Sequence, residues 1–350
     1  MVIAVFVDLK WFRSHNPDLY FVKSLLRNLS AYYPENKYYL LQPNVGDEHD
    51  SELGSFTIIN LKTKPGFLFS YRIKRKVSET LKNIKADLVF SIDAVLTTTI
   101  HQTLLVSGLN TKTNFTKEKL QKLKAVFVLS QKMKNELEVQ YKLEPQKISV
   151  LYGGASKTFE AIDEEMKSLV KDKYTEGKEF FIYRGRVKEE NNIIPLLKAF
   201  SLFKKRQKSS MKLVLMGKAF WETDDFTKLL STYKYRDDVV LVPGELSGEE
   251  ATILAAAYAL VQPYAVNNLF FFDAMQCAVP VLAINSSTFK EITSDAALFF
   301  DASNEADIAD KMMLLYKDES FRNQLIEKAN SVISAYNWKN TTELLTKNLH

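Results

Sequence analysis

Short apolar runs separated by amphipathic stretches set the rhythm of this chain. In the first half the runs are VIAVFV, KYYLLQ, FTIINL, ADLVFS, TLLVSG, AVFVLS and ISVLYG. Brief continuous apolar runs of this kind predict parallel strands covered on both faces. Helical spacing lies between them at 19–33 and 115–123, so the pattern is one of repeating β/α units. A charged stretch at 160–179 interrupts it. The rhythm then resumes with FFIYRG, MKLVLMG, VVLVPG, YALVQP, VPVLAI and AALFF, with helices predicted at 195–204 and 249–258. From 307 to 349 the spacing is helical, with Met312, Met313 and Leu314 on an apolar face and Trp338 as a packing anchor.

This pattern predicts an α/β protein of two Rossmann-like domains in succession, joined within 160–179. The expected boundaries are 1–165, 166–330, and a closing helix within 331–350 that returns toward the N-terminal domain. The 350 residues agree with two cores, because a single core stops growing beyond about 250–300 residues.

Composition changes the picture little. Apolar residues make up 46% and charged residues 25%, as in ordinary folded soluble proteins. The single cysteine, Cys277, has no internal disulfide partner. The opening MVIAVFVDLKWF reads as a first strand rather than a leader segment. No run approaches the ~20 apolar residues that cross a bilayer. The expected location is cytoplasmic, with peripheral contact at the inner membrane face left open. Charge is more informative: 61–85 holds eight Lys or Arg against the single acid Glu79, within a net charge of +5. That segment is either a solvated helix face or a surface for an anionic lipid or polyanionic partner. No nucleic-acid recognition module accompanies it, and no nucleic acid is expected as a partner.

Candidate chemistry concentrates in the second block. No two histidines share metal-ligand spacing, and P-loop, G-x-S-x-G, H-E-x-x-H and D-x-D patterns are missing from the sequence, so a metal site is not expected. In FIYRGRVKEENN a strand ends at Gly185 and leads into Arg186. A glycine there lets a ligand approach the backbone, and a guanidinium can grip a diphosphate through two parallel hydrogen bonds. The alternative is a surface arginine at a strand end. In KLVLMGKAF, Gly217 ends a strand and Lys218 follows as an anion contact or a solvated side chain. In QPYAVNNLFFFDAM, Asn267 and Asn268 precede a helix that carries Asp273. That carboxylate either accepts hydrogen bonds from ribose hydroxyls or reflects the preference of helix N-termini for acids.

The order RGR…NNIIPLLKAF, LVLMG, QPY…FFFDAMQCAVPVLAINSSTFKEI and DAALFFDASNEADIADKM resembles the GT-B retaining glycosyltransferases of the family 4 type, most closely over 180–312. AVFVLSQKMKNEL, KISVLYGGASKTF and Trp338 extend the resemblance more loosely over the rest of the chain. The resemblance implies a GT-B fold, with two Rossmann-like domains facing each other across a cleft. The C-terminal domain would hold a nucleotide-sugar donor and the N-terminal domain a glycan or lipid-linked acceptor. It also implies chemistry without a metal or other cofactor. By the same likeness Arg186 grips the diphosphate and Asp273 stands where a glutamate usually holds the donor ribose. Several positions depart from the family pattern. Asn191 replaces a diphosphate-binding lysine, 265–268 reads AVNN in place of an E-G-F-G-type stretch, and Ala278 replaces a glycine. An expected H-D pair falls on Ser107 and Gly108, and the loop after the first strand, usually rich in glycine, reads WFRSHNPD. The alternative to a transferase is therefore a non-catalytic homologue acting as a binding or partner subunit.

Overall fold

The computed structural model describes residues 1–7, 19–42, 54–61, 69–96, 98–108, 115–187, 191–217, 224–243, 248–264 and 269–349. The chain divides into two compact units: unit 1 comprises 1–153 and 337–350, unit 2 comprises 154–336.

Unit 1 is built on seven strands: β1 (Val2–Val7), β2 (Lys37–Gln42), β3 (Phe56–Asn60), β4 (Leu88–Ile92), β5 (His101–Val106), β6 (Ala125–Val128) and β7 (Ile148–Val150). They form one sheet in the order β3-β2-β1-β4-β5-β6-β7. Every pairing is parallel, and β1 lies inside the sheet: Val5 faces Leu40 on one side and Phe90 on the other. The apolar runs become strands because helices cover both faces, and β4 and β6 are buried along their whole length. Helices α1 (Leu19–Tyr32), α2 (Phe69–Asn83), α3 (Lys117–Gln121) and α4 (Gln131–Tyr141) connect them. On α2, Ile73, Val77 and Leu81 recur at helical spacing and pack with Ala4, Phe6 and Val89. Ser130 caps α4, its hydroxyl accepting from the Met133 N–H at 3.2 Å.

Unit 2 carries β8 (Phe180–Arg184), β9 (Lys212–Gly217), β10 (Val239–Pro243), β11 (Ala259–Gln262), β12 (Val281–Ile284) and β13 (Ala297–Phe300), ordered β10-β9-β8-β11-β12-β13 and again all parallel. Its helices are α5 (Glu164–Thr175), α6 (Ile193–Gln207), α7 (Asp224–Thr232), α8 (Glu249–Ala255), α9 (Leu269–Gln276), α10 (Ser287–Thr293), α11 (Glu305–Lys317) and α12 (Glu319–Ala335). Phe181, Phe200 and Phe203 anchor one face of its core, with Phe181 and Phe203 edge-to-face at 5.3 Å.

The last helix, α13 (Trp338–Leu349), belongs to unit 1. Trp338 is buried and its ring lies 5.6 Å from Phe21 of α1.

One expectation needs correcting. The junction predicted at 160–179 lies past the observed division at 153/154, and most of that stretch is α5. The physical reason is legible in its ends. Asp163 accepts from the Met166 N–H at 2.8 Å, Glu164 and Glu165 fill the first turn, and Gly177 closes the helix with a positive φ of 73°. Charge made the stretch look like a linker, but those charges sit on the solvent face of a capped helix.

Candidate functional site

In a doubly wound sheet, ligands bind at the carboxyl ends of strands where the winding direction reverses. In unit 2 the reversal lies between β8 and β11. The residues gathered there are Arg184 at the end of β8 with Gly185 and Arg186 after it, and Gln262 at the end of β11 with Pro263 and Tyr264 after it.

Arg184 closes a strand whose five residues are all buried. A cation in that position must be paired, and Asp273 supplies the partner: Arg184 Nη1 donates to Asp273 Oδ2 at 2.7 Å. Both side chains are buried. The guanidinium lies 4.7 Å from the ring centre of Phe159 and 4.4 Å from that of Phe270, a desolvated cation–π arrangement. Its Nη2 reaches Glu250 at 3.5 Å. The other oxygen of Asp273 accepts from the Ser156 N–H at 3.0 Å. The simple helix-end explanation for Asp273 does not apply, because it is the fifth residue of α9 and no acid occupies the first turn. Asp273 instead joins β8, α9 and the segment after residue 153.

Burial pushes the neighbouring Cys277 thiol up to about 12, and the Asp273 carboxylate adds to the shift. That sulfur is therefore protonated at neutral pH and poorly nucleophilic.

The two glycines are used differently from the expectation. Gly185 has φ of +139°, but a side chain there would meet the Tyr264 hydroxyl at 2.7 Å and the Tyr183 hydroxyl at 3.2 Å. A Cβ on Gly217 would lie 1.9 Å from the Gly185 carbonyl oxygen. Glycine at 217 thus admits the Gly185 backbone, and the space over Gly185 holds tyrosine hydroxyls.

The carbonyls at this edge are held one by one. Gln262 Nε2 donates to the Arg184 carbonyl at 3.1 Å, and Asn192 Nδ2 donates to the Pro263 carbonyl at 2.7 Å. The Arg186 carbonyl receives both the Tyr183 hydroxyl at 2.6 Å and Asn191 Nδ2 at 2.7 Å. Asn191 is buried, and its amide is turned toward this carbonyl. Arg186 itself is half-buried, and its charge lies close enough to Tyr264 to oppose the rise that burial imposes on that phenol.

The structure therefore brings Arg186, Gly185, Gly217, Asn191 and Asp273 to the same end of one sheet. Lys218, Asn267 and Asn268 lie outside the described residues. Sequence reasoning passed over Arg184, Tyr183, Tyr264 and Asn192. An arginine ending an apolar strand was a usable signal for a buried partner; the tyrosines gave none. In unit 1, Ser107 does not act alone: its N–H and hydroxyl donate to Asp93 at 2.8 and 2.5 Å, and Asp93 holds a left-handed φ of 51°. Among the described residues there is no group of three or more His, Cys, Asp or Glu side chains able to hold a metal ion.

This arrangement of two parallel, doubly wound sheets is that of a GT-B protein. A glycosyltransferase from Rickettsia africae superposes over 99% of this chain and 97% of its own, with a TM-score of 0.81 at 13% identity. Anabaena HepE in complex with UDP-glucose superposes over 99% of each chain, with a TM-score of 0.73 at 13% identity. Residues 163–332, nearly all of unit 2, match the model of the family described as glycosyl transferases group 1. The O-antigen chain mannosyltransferase B of Escherichia coli is 27% identical over 166 residues, which cover 47% of this chain and 43% of that protein. The chain thus spans less than half the length of that relative.

Proposed function

We propose that this chain is a retaining glycosyltransferase that moves a sugar from a nucleotide-sugar donor to a glycan or lipid-linked acceptor. The observation that carries the reading is the match to the group 1 glycosyltransferase family, which coincides with the unit whose winding reversal presents Arg186. In this reading the donor's diphosphate meets Arg186 beside Gly185 and Tyr264. Positive charge there stabilises the departing nucleoside diphosphate, with no metal required. Asp273 contributes through Arg184 and α9, which shape the wall on which a ribose would rest. Lys218, Asn267 and Asn268, which lie outside the described residues, are assigned to the donor side on their sequence positions alone. The mannosyltransferase relative makes a growing polysaccharide chain the preferred acceptor class.

A lipid-linked acceptor would draw the protein to a membrane surface, and α2 has the chemistry for it. Arg72, Arg75, Lys76 and Lys82 are exposed on the side away from Ile73, Val77 and Leu81, with Glu79 paired to Arg75. Among the described residues, no helix is long and apolar enough to cross a membrane.

A second reading, a non-catalytic homologue, is favoured by one observation: the Asp273 carboxylate is engaged inside the fold by Arg184 and Ser156. Release of nucleoside diphosphate from UDP-, GDP- and ADP-sugars, with and without a mannosyl oligosaccharide, separates the two. Acceptor-stimulated release, with anomeric retention read by NMR, is the expected result. A donor that binds and is never consumed supports the second reading.

A further inference from the structure

The Arg186 carbonyl is held by two donors that the proposed chemistry does not use. Tyr183 is fully buried, and its hydroxyl donates to that oxygen at 2.6 Å; Asn191 Nδ2 donates to the same oxygen at 2.7 Å and lies 3.5 Å from the Tyr183 hydroxyl. The three groups form a closed triangle. Burial raises the Tyr183 phenol well above its usual range, which keeps it a proton donor throughout the physiological range.

This clamp sits one residue past a glycine with an unusual backbone angle. Gly185, immediately before Arg186, adopts φ of +139°, a conformation open to glycine and closed to most other residues. The Gly185 N–H is held by the Met216 carbonyl at 2.9 Å and its own carbonyl packs on Gly217, so what remains to be set is the peptide plane that follows Arg186. A small rotation there, carried to the end of a long arginine side chain, displaces the guanidinium by ångströms. The two hydrogen bonds to the Arg186 carbonyl fix that plane, between Arg186 and Val187, and with it one side of the Cα that carries the guanidinium. The strand-end carbonyls on either side, Arg184 and Pro263, are fixed in the same manner by Gln262 and Asn192.

We propose that Tyr183 and Asn191 are positioning residues for Arg186, holding the peptide plane from which its guanidinium is aimed at the diphosphate of a nucleoside diphosphate. This rests on the reading of Arg186 given above. It also gives Asn191 a role of its own: a neutral amide directs the neighbouring cation where a second cation was expected.

Calorimetric titration of the full chain with UDP, GDP and ADP, and with the matching nucleosides, tests it. Arg186→Ala weakens diphosphate binding roughly tenfold or more, the scale of a hydrogen bond to a charged group. Tyr183→Phe and Asn191→Ala each weaken it about fivefold and leave nucleoside binding unchanged. Combined with Arg186→Ala, neither substitution weakens binding further, although each lowers the melting temperature equally in both backgrounds. Should Asn191→Ala fold poorly, Asn191→Leu, which keeps the approximate volume and removes the donor without adding a charge, and Tyr183→Phe carry the same expectation. Equal losses with and without Arg186, or no loss in either, overturn the positioning role while leaving Arg186 as a diphosphate contact. Absence of diphosphate binding by the unaltered chain overturns the reading of Arg186 and this inference together.

Discussion

Two arginine–carboxylate pairs in this protein have nearly the same length and opposite consequences. Arg184 and Asp273 meet at 2.7 Å with side chains 8% and 1% exposed. Arg75 and Glu79 meet at 2.8 Å with side chains 72% and 54% exposed. Distance does not separate them; solvent does. Water and salt screen the pair on α2, and holding two long side chains together costs entropy, so such contacts contribute at most about 1 kcal/mol. The pair at the end of β8 has given up its water, and each ion depends on the other. Losing one partner there leaves the other charge in the core without its shortest ion pair. The lesson is about use: buried charge builds the sheet edge on which a site is carried, and exposed charge stays available to a partner.

The comparison breaks most sharply at Asp273. Asp273→Ala removes the buried partner of the Arg184 guanidinium, which keeps the more distant Glu250 at 3.5 Å, and is expected to lower the unfolding free energy by about 3–5 kcal/mol, measured by urea denaturation. Replacing both partners by apolar residues, Arg184→Met with Asp273→Leu, recovers most of that loss, since a buried ion pair and a well-packed apolar pair are often of similar stability. A single substitution costing less than 1 kcal/mol would show that the pair does not hold β8 to α9.

Next in size is the end of the same helix. Ala278 adopts a left-handed φ of 57° just after α9, a conformation that costs a side-chain-bearing residue about 1–2 kcal/mol. Ala278→Gly is therefore expected to stabilise the protein by about 1 kcal/mol, read as a shift in the urea midpoint. A destabilised Ala278→Gly protein would mean that the methyl group's packing outweighs the backbone strain.

High pH tests burial by another route. Burial raises the Cys277 thiol from 9.0 to about 12 and the Tyr233 and Tyr258 phenols from 10.0 to about 12. All three are neutral acids that the folded state keeps protonated. The unfolded chain releases those protons first, so the folded state binds more of them and stability falls as pH rises. The melting temperature is expected to decline through the window from about 9 to about 12, and a flat profile there would contradict the burial of these groups.

The smallest effect belongs to the surface pair. Arg75→Ala should leave stability within about 1 kcal/mol of the original. Its functional counterpart is a vesicle experiment: the chain should sediment with vesicles containing phosphatidylglycerol more than with pure phosphatidylcholine. Charge reversal at Arg72, Arg75 and Lys76 together should remove the difference. Equal sedimentation with both returns α2 to a solvated helix face.

How much of this was legible in the sequence follows from the same distinction. Runs such as VIAVFV and FFIYR declare buried parallel strands because nothing polar interrupts them. The composition of a strand does not declare where its last side chain turns, so Arg184, two residues before Arg186, drew no reading of its own although it is walled in by Phe159, Phe270 and Asp273. Gly185 and Gly217 read as space for a ligand; the contacts that demand glycine there are with Tyr264, Tyr183 and each other, and they depend on the pairing of β8 with β9. Asn191 read as a missing cation, because its hydrogen bond to the Arg186 carbonyl is a matter of loop geometry. The 160–179 stretch was misjudged for the converse reason: its charge was counted, and the capping signals at Asp163 and Gly177 were not.

The most direct test of the account is calorimetry with UDP-, GDP- and ADP-sugars on the unaltered chain and on Arg186→Ala. The account predicts that at least one donor binds, and that Arg186→Ala weakens it by about 1.5–3 kcal/mol, the strength of a charge-assisted hydrogen bond. A folded protein that binds none of these donors, or binds one equally well without Arg186, would contradict it.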